Sequence, residues 1–155
     1  MQTLYRLNRL KRDLGVVKSE TPNVKLNGTT MLNLNHKNLD VWKISSKLVT
    51  AIYSITASFP KEELFGLTNQ LRRSAVSILS NIAEGSARSS AAERKRFFEI
   101  SRSSLVEVDA QVEIAKNLHY LDEKAVTELS EVINHDFALL SKLISKTDKS
   151  KTTVQ

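Results

Sequence analysis

The sequence has no cysteine, only 4 glycines and 2 prolines, and a single tryptophan among its 155 residues. Without thiols, neither a disulfide framework nor thiolate catalysis is available. No apolar run approaches the roughly 20 residues needed to cross a bilayer. The opening stretch from Met1 to Arg9 is too polar for the apolar segment of a secretion signal. The expected setting is therefore cytoplasmic, with no membrane partner. From Ser86 onward there is neither glycine nor proline, so nothing interrupts long helices. Strand-like alternation is also missing.

The net charge of +6 sits at the ends of the chain. Residues 1–35 hold six basic and two acidic side chains, residues 36–145 hold fourteen of each, and residues 146–155 hold three lysines and one aspartate. A basic isoelectric point alone thus says nothing about nucleic acid on the folded body. The expected organisation is a loosely ordered basic extension over 1–35, a helical bundle over 36–145 and a basic, disordered tail over 146–155. Leu4, Leu7, Leu10 and Leu14 can line one side of a short helix, which is marginal alone in water. Within the body, basic residues gather between Arg72 and Arg102 and acids between Glu107 and Asp136. Such a split steers an anionic partner, pairs one subunit with the next, or neutralises itself within one chain.

Apolar spacing of three and four residues predicts four helices. The first runs from about Leu39 to Ser58, capped by Asn38 or Asp40 and ended by Pro60. Val41, Ile44, Leu48, Ile52 and Ile55 mark one face, and Trp42, Val49 and Tyr53 a second. The next helix spans about Leu67 to Glu84, with Gly85 as the left-handed residue after it. Its main stripe is Leu71, Ala75, Ile78 and Ile82, widened by Val76, Leu79 and Ala83. The third helix starts at Ser90, with Glu93 closing a capping box, and continues to about Leu118. Ser101 and Ser104 on its apolar face are small enough for close approach. The fourth runs from Asp122 to about Ile144. These elements predict an all-α fold, an up-down-up-down antiparallel four-helix bundle. The excess apolar surface of the first two helices predicts a homo-oligomer.

Chemistry-bearing patterns are few. His36, His119 and His135 share no face with one another or with acids at ligand spacing, so no metal site is expected. Phosphate-loop and Ser-His-Asp patterns are missing, so neither a cofactor nor enzymatic activity is expected. Two charges fall within apolar arcs, Arg72 and Asp136, and each needs a partner or a route to water. For Arg72, and for Arg73 beside it, the sharper alternative is a bridge to an acid of the next protomer. The candidate nucleic-acid contacts are Arg88, Arg94, Lys95, Arg96 and Arg102, around the second link and the first turns of the third helix. The candidate oligomer interface comprises Trp42, Val49, Tyr53, Arg72, Arg73, Val76, Leu79 and Ala83.

Several strings carry a family resemblance: Leu39-Asp-Val-Trp42, Phe59-Pro60 with Glu62 and Glu63, Gly66-Leu-Thr-Asn-Gln-Leu-Arg-Arg73-Ser-Ala and Ser80-Asn-Ile-Ala-Glu-Gly85. Phe97, Ser104-Leu105 and Glu107 continue the pattern in order. From about Leu39 to Ile144 the chain resembles the four-helix-bundle proteins encoded by intervening sequences inside bacterial 23S rRNA genes. It departs from that pattern at Ser103, where the family has glycine. It is also similar to the accessory proteins of diversity-generating retroelements. The resemblance implies a ring, typically a pentamer, and engagement of RNA or a reverse-transcriptase-like ribonucleoprotein, and it supplies no catalytic residue. The leading expectation is a homo-oligomeric bundle that binds structured RNA or a ribonucleoprotein through basic residues. A protein-interaction scaffold without nucleic-acid binding is the alternative. A third reading, an enzyme, requires a pocket lined by Asp136, His135 or Glu84.

Overall fold

The computed structural model describes residue 32 and residues 34–149. A 3₁₀ turn at Asn35–Asn38 precedes α1 (Asp40–Ile55), and a second at Lys61–Leu64 precedes α2 (Leu67–Ala87). Then follow α3 (Ala91–Asn117) and α4 (Glu123–Lys149), with no strand among the described residues. Each helix packs against its chain neighbours and α1 closes on α4, so α1 faces α3 and α2 faces α4 across the core. Short links between long packed helices give the antiparallel four-helix bundle that the apolar periods predict. The expected extension, apart from residues 32, 34 and 35, and the tail residues beyond 149 lie outside the described residues.

The helix ends show which local forces prevailed. Leu39, rather than Asn38 or Asp40, occupies the position before α1, and no side chain caps it. The entry is fixed instead by His36, whose buried ring packs against Trp42 with centroids 4.4 Å apart. α1 stops at Ile55, three residues short of the expected Ser58, because the chain tightens there before Pro60 arrives. The Thr56 hydroxyl donates to the Ile52 carbonyl at 2.7 Å, and the Ser58 amide reaches Ile55 at 3.2 Å. α2 is capped from the preceding turn: Glu63 Oε2 accepts the Leu67 amide at 2.9 Å. Ser90 precedes α3 as expected, yet its hydroxyl makes no cap bond and the predicted box with Glu93 does not form. The end of α3 is a Schellman turn, with Tyr120 N–H donating to Ala115 at 2.9 Å and His119 in left-handed space at φ 59°. Asp122 caps α4 by accepting the Ala125 amide at 2.7 Å. That helix then carries past Ile144 and past the expected boundary at 146, burying Thr147 on the way.

Gly85 corrects the reading made from the sequence. It is not the residue after α2 but a buried position within it. A Cβ there would lie 2.7 Å from Phe98 Cε1 and 3.0 Å from Phe97 Cβ. The glycine lets α2 sit directly on the aromatic side chains of α3. Serines extend the same close approach along the two helices. Ser101 Oγ donates to the Ile78 carbonyl at 2.9 Å, Ser77 and Ser104 hydroxyls meet at 2.9 Å, and Ser74 donates to Glu107 at 3.1 Å. The apolar core beneath joins Leu48, Ile52, Leu71, Ile78, Ile82, Leu105, Val108 and Leu140.

Asp136 lies in this core, fully buried, and accepts the Ser45 hydroxyl at 2.9 Å. It thus bonds to a neighbouring helix, whereas Arg72, half-buried, donates its Nε to Thr56 Oγ1 at 2.8 Å.

Two substitutions test this account by urea denaturation. Alanine at an interior helix glycine gains about 1 kcal/mol of propensity, but overpacking costs about 1–3. Gly85→Ala is therefore expected to lower stability by up to about 2 kcal/mol, and adding Phe98→Leu to lose less than the sum of the two single changes. His119→Gly relieves the left-handed strain and is expected to raise stability by about 0.5–1 kcal/mol.

Candidate functional site

The five candidate nucleic-acid contacts lie along the α2–α3 link and the first three turns of α3, but most of their charge is already used. Arg88 pairs with Glu84 one turn back on α2 and lies over the Phe97 ring, 5.0 Å from its centroid. Arg94 turns back onto the link and donates to the carbonyls of Arg88 at 3.1 Å and Ser89 at 2.7 Å. It therefore holds the link shut in place of the expected capping box. Lys95 meets Asp148 of α4 at 2.8 Å and Glu99 at 3.8 Å. The hydrogen bond that it donates to Asp148 holds the Lys95 ammonium above its ordinary range, against some desolvation. Arg102, farther along α3, covers the Phe137 ring at 5.9 Å. Arg96 is exposed and makes no ion pair among the described residues.

The candidate interface residues divide in a similar way. Trp42 and Val49 are half-buried against the core of their own chain. Leu79 and Ala83 are half-buried as well. Tyr53 at 45 % and Val76 at 41 % exposure remain open to solvent, as does Arg73. These three line an open groove of about 530 Å³ between α1 and α2, together with Asn69, Arg72, Ser77 and Ser80. The Arg72 guanidinium sits 4.9 Å from the centre of the Tyr53 ring, held there by its bond to Thr56. Among the described residues no acidic side chain lines this groove.

The opposite side of the bundle, between α3 and α4, carries a smaller groove of about 230 Å³. Its walls are Leu105, Val106, Asp109, Ile133, Asn134 and Phe137. Val106 is 52 % and Phe137 43 % exposed, and Asp109 is the charged group in the wall. Periodicity did not single out this face, because Val106 lies outside the main apolar stripe of its helix and Phe137 follows the buried acid.

The helical order, the serine-lined contact of α2 with α3 and the buried glycine of the Asn81-Ile82-Ala83-Glu84-Gly85 string can now be set beside known proteins. The family model for the 23S rRNA-intervening sequence protein matches residues 37–142. The chain belongs to this family. A solved structure of a protein with unknown function from the S23 ribosomal protein family of Bacteroides thetaiotaomicron has the same fold, with a TM-score of 0.63. It is 21 % identical, and the match covers 68 % of this chain and 95 % of that one. No curated protein matches the sequence.

Of the residues named for an enzymatic pocket in this 23S rRNA-intervening sequence family fold, Glu84 lines an open cleft of about 350 Å³ with His36, Ser80 and Ser86. Asp136 is buried, His135 is exposed and Glu84 is occupied by Arg88. Among the described residues no group of three His, Cys, Asp or Glu is arranged to hold a metal ion, and no helix is long and apolar enough to cross a membrane. Sequence reasoning missed Glu63, which caps α2 and also accepts the Tyr120 hydroxyl at 3.2 Å. Burial, then the nearby Glu63, pushes the Tyr120 phenol above its usual range. The signal available was a glutamate four residues before Leu67, too common a spacing to stand out.

The arginines of the link are separable by stability. Arg94→Ala removes the donor to two carbonyls and is expected to cost about 1–2 kcal/mol. Arg96→Ala is expected to stay within about 0.5 kcal/mol of the parent. Urea denaturation of the two variants side by side checks the difference.

Proposed function

We propose that this protein is a non-enzymatic helical bundle that assembles head to tail into a ring and presents its α2–α3 end to structured RNA or a ribonucleoprotein. The observation that carries the assembly is the pair of open grooves on opposite sides of the protomer. One exposes Tyr53 and Val76 beside Arg72 and Arg73; the other exposes Val106 and Phe137 beside Asp109. Exposed apolar centres with charges of opposite sign form a complementary pair. A contact between two different patches of identical chains leads to a ring when its rotation closes.

The RNA part rests on less charge than the sequence promised. Arg96 stands free of acids, Arg102 is half-exposed over an aromatic ring, and the first amides of α3 have no side-chain cap. One or two phosphate contacts per protomer are weak alone, and a ring multiplies them. The pairing of Arg88 and Lys95 and the internal use of Arg94 favour the second reading, a protein-interaction scaffold without nucleic acid.

Sedimentation and light scattering test the assembly. The full chain is expected to run as an oligomer, Arg73→Glu to shift it toward the monomer, and Asp109→Arg added to Arg73→Glu to restore it. A parent protein that stays a single chain at high concentration overturns the proposal. Filter binding with a structured RNA tests the remainder: affinity should fall steeply with salt, and Arg96→Ala with Arg102→Ala should weaken it about tenfold. Intact assembly without RNA affinity at low salt leaves the scaffold reading standing.

A further inference from the structure

The two sides of the bundle are tied together unequally. α2 and α3 are joined by four side-chain hydrogen bonds, made by Ser74, Ser77, Ser101 and Gln111, within 2.9–3.4 Å. α4 is tied to α3 by the ion pair of Asp148 with Lys95. α1 is the shortest helix, at 16 residues, and its side-chain hydrogen bond to α4 is that of Ser45 with Asp136. This bond is buried, and the second carboxyl oxygen, Oδ2, has no partner.

We propose that the Ser45–Asp136 contact is a proton-controlled latch, which holds α1 against α4 while the carboxyl is protonated and loosens α1 when it ionises. A neutral carboxyl fits the site better than an ionised one, since it brings no charge into the core. The ionised form leaves an oxygen unsatisfied and unsolvated, which is costly in an apolar interior. Water reaches that oxygen when α1 moves away, because Ser45 is the hydrogen-bond partner that the carboxyl has and α1 carries it.

Among the described residues no charged side chain stands in to neutralise Asp136. On α1, Lys43 and Lys47 are exposed, and Lys43 pairs with Asp40. On α4, His135 is exposed; on α3, Arg102 lies over Phe137; on α2, Ile78 and Ile82 fill the buried face. Burial raises the carboxyl from 3.8 to about 7, and the Ser45 hydroxyl opposes part of that rise. The sign follows from linkage: the docked state binds the proton more tightly than a solvated carboxyl does. Docking is therefore strongest at low pH and weakens as pH rises above 3.8, and the loss is complete above about 7.

Hydrogen exchange followed by mass spectrometry on the full chain, corrected for intrinsic rates, reads the latch directly. Between about pH 5 and pH 7 the opening of α1 is expected to increase about tenfold per pH unit and then to level off. α2 and α3 are expected to change far less. Asp136→Asn keeps the neutral shape and should hold α1 protected with no such pH dependence. Ser45→Ala removes the bond that favours the ionised form, so its plateau should begin at higher pH. A parental profile in Asp136→Asn, or an equal loss over all four helices, overturns the latch. If Asp136→Asn does not fold, an unshifted plateau in Ser45→Ala overturns it. The readout follows α1 within one chain, so its outcome is independent of the ring. Any effect on assembly, through Tyr53 of α1, rests on the proposed function.

Discussion

The close contact between α2 and α3 sets the geometry of everything else. Two helices approach this closely only where side chains are small. Gly85, Ser74, Ser77, Ser101 and Ser104 provide that condition over about three turns of α2, and aromatic rings close its end. The serine hydroxyls are satisfied by one another, by the Ile78 carbonyl, by Glu107 and by Gln111, whose own Oε1 is the polar atom that the contact leaves buried without a partner. With that side of α2 engaged, its apolar stripe of Leu71, Ala75, Ile78 and Ile82 points into the core. Val76 is left outside. The outward groove of Arg72, Arg73 and Val76 is thus a consequence of how α2 is seated.

Charge clusters in a sequence report composition, whereas surface potential depends on where each charge ends up. The stretch from Arg88 to Arg102 holds five cations, and the fold supplies a carboxylate or a carbonyl to three of them. One partner, Glu84, lies one turn away and is visible in the sequence. Asp148 lies over fifty residues downstream, in a region that reads as tail and is in fact the last turn of α4. Arginine also serves as a structural donor, and Arg94 takes that role because the Ser90 hydroxyl does not cap its helix. Exposed pairs of this kind add little stability, but they reduce the cationic surface open to phosphate.

Legibility followed the range of the interactions involved. Helix number, type and most of the core were readable, because apolar period is a local property repeated over 16 to 27 residues. Asp122 as the start of α4 was readable because capping is local as well, whereas α1 ends at Ile55, ahead of the stop expected at Pro60. Gly85 was misread because a glycine at a helix end and a glycine under a phenyl ring look alike until Phe98 is placed. The Schellman turn at His119 was invisible, since it uses a histidine where glycine is usual. An angular count also cannot show that the His36 ring of the 3₁₀ turn packs on Trp42, or that Val49 is held against the core of its own chain.

A buried carboxyl tied to one serine makes little sense as a source of stability, since a well-packed apolar pair in its place is usually neutral or better. It does make sense as a means of fixing α1. Apolar side chains such as Leu48 and Ile52 attract without direction, and a helix held by them alone can slide or rotate. A single bond from Ser45 to Asp136 selects one register, because any other leaves the carboxyl without its donor. The position of Tyr53 beside Arg72 depends on that register, two turns farther along the same helix. The polar contact in the core and the groove on the surface are thus two ends of one constraint. A chain that keeps its apolar stripe but loses the buried pair would still form four helices, yet would no longer place the outer side of α1 in one position.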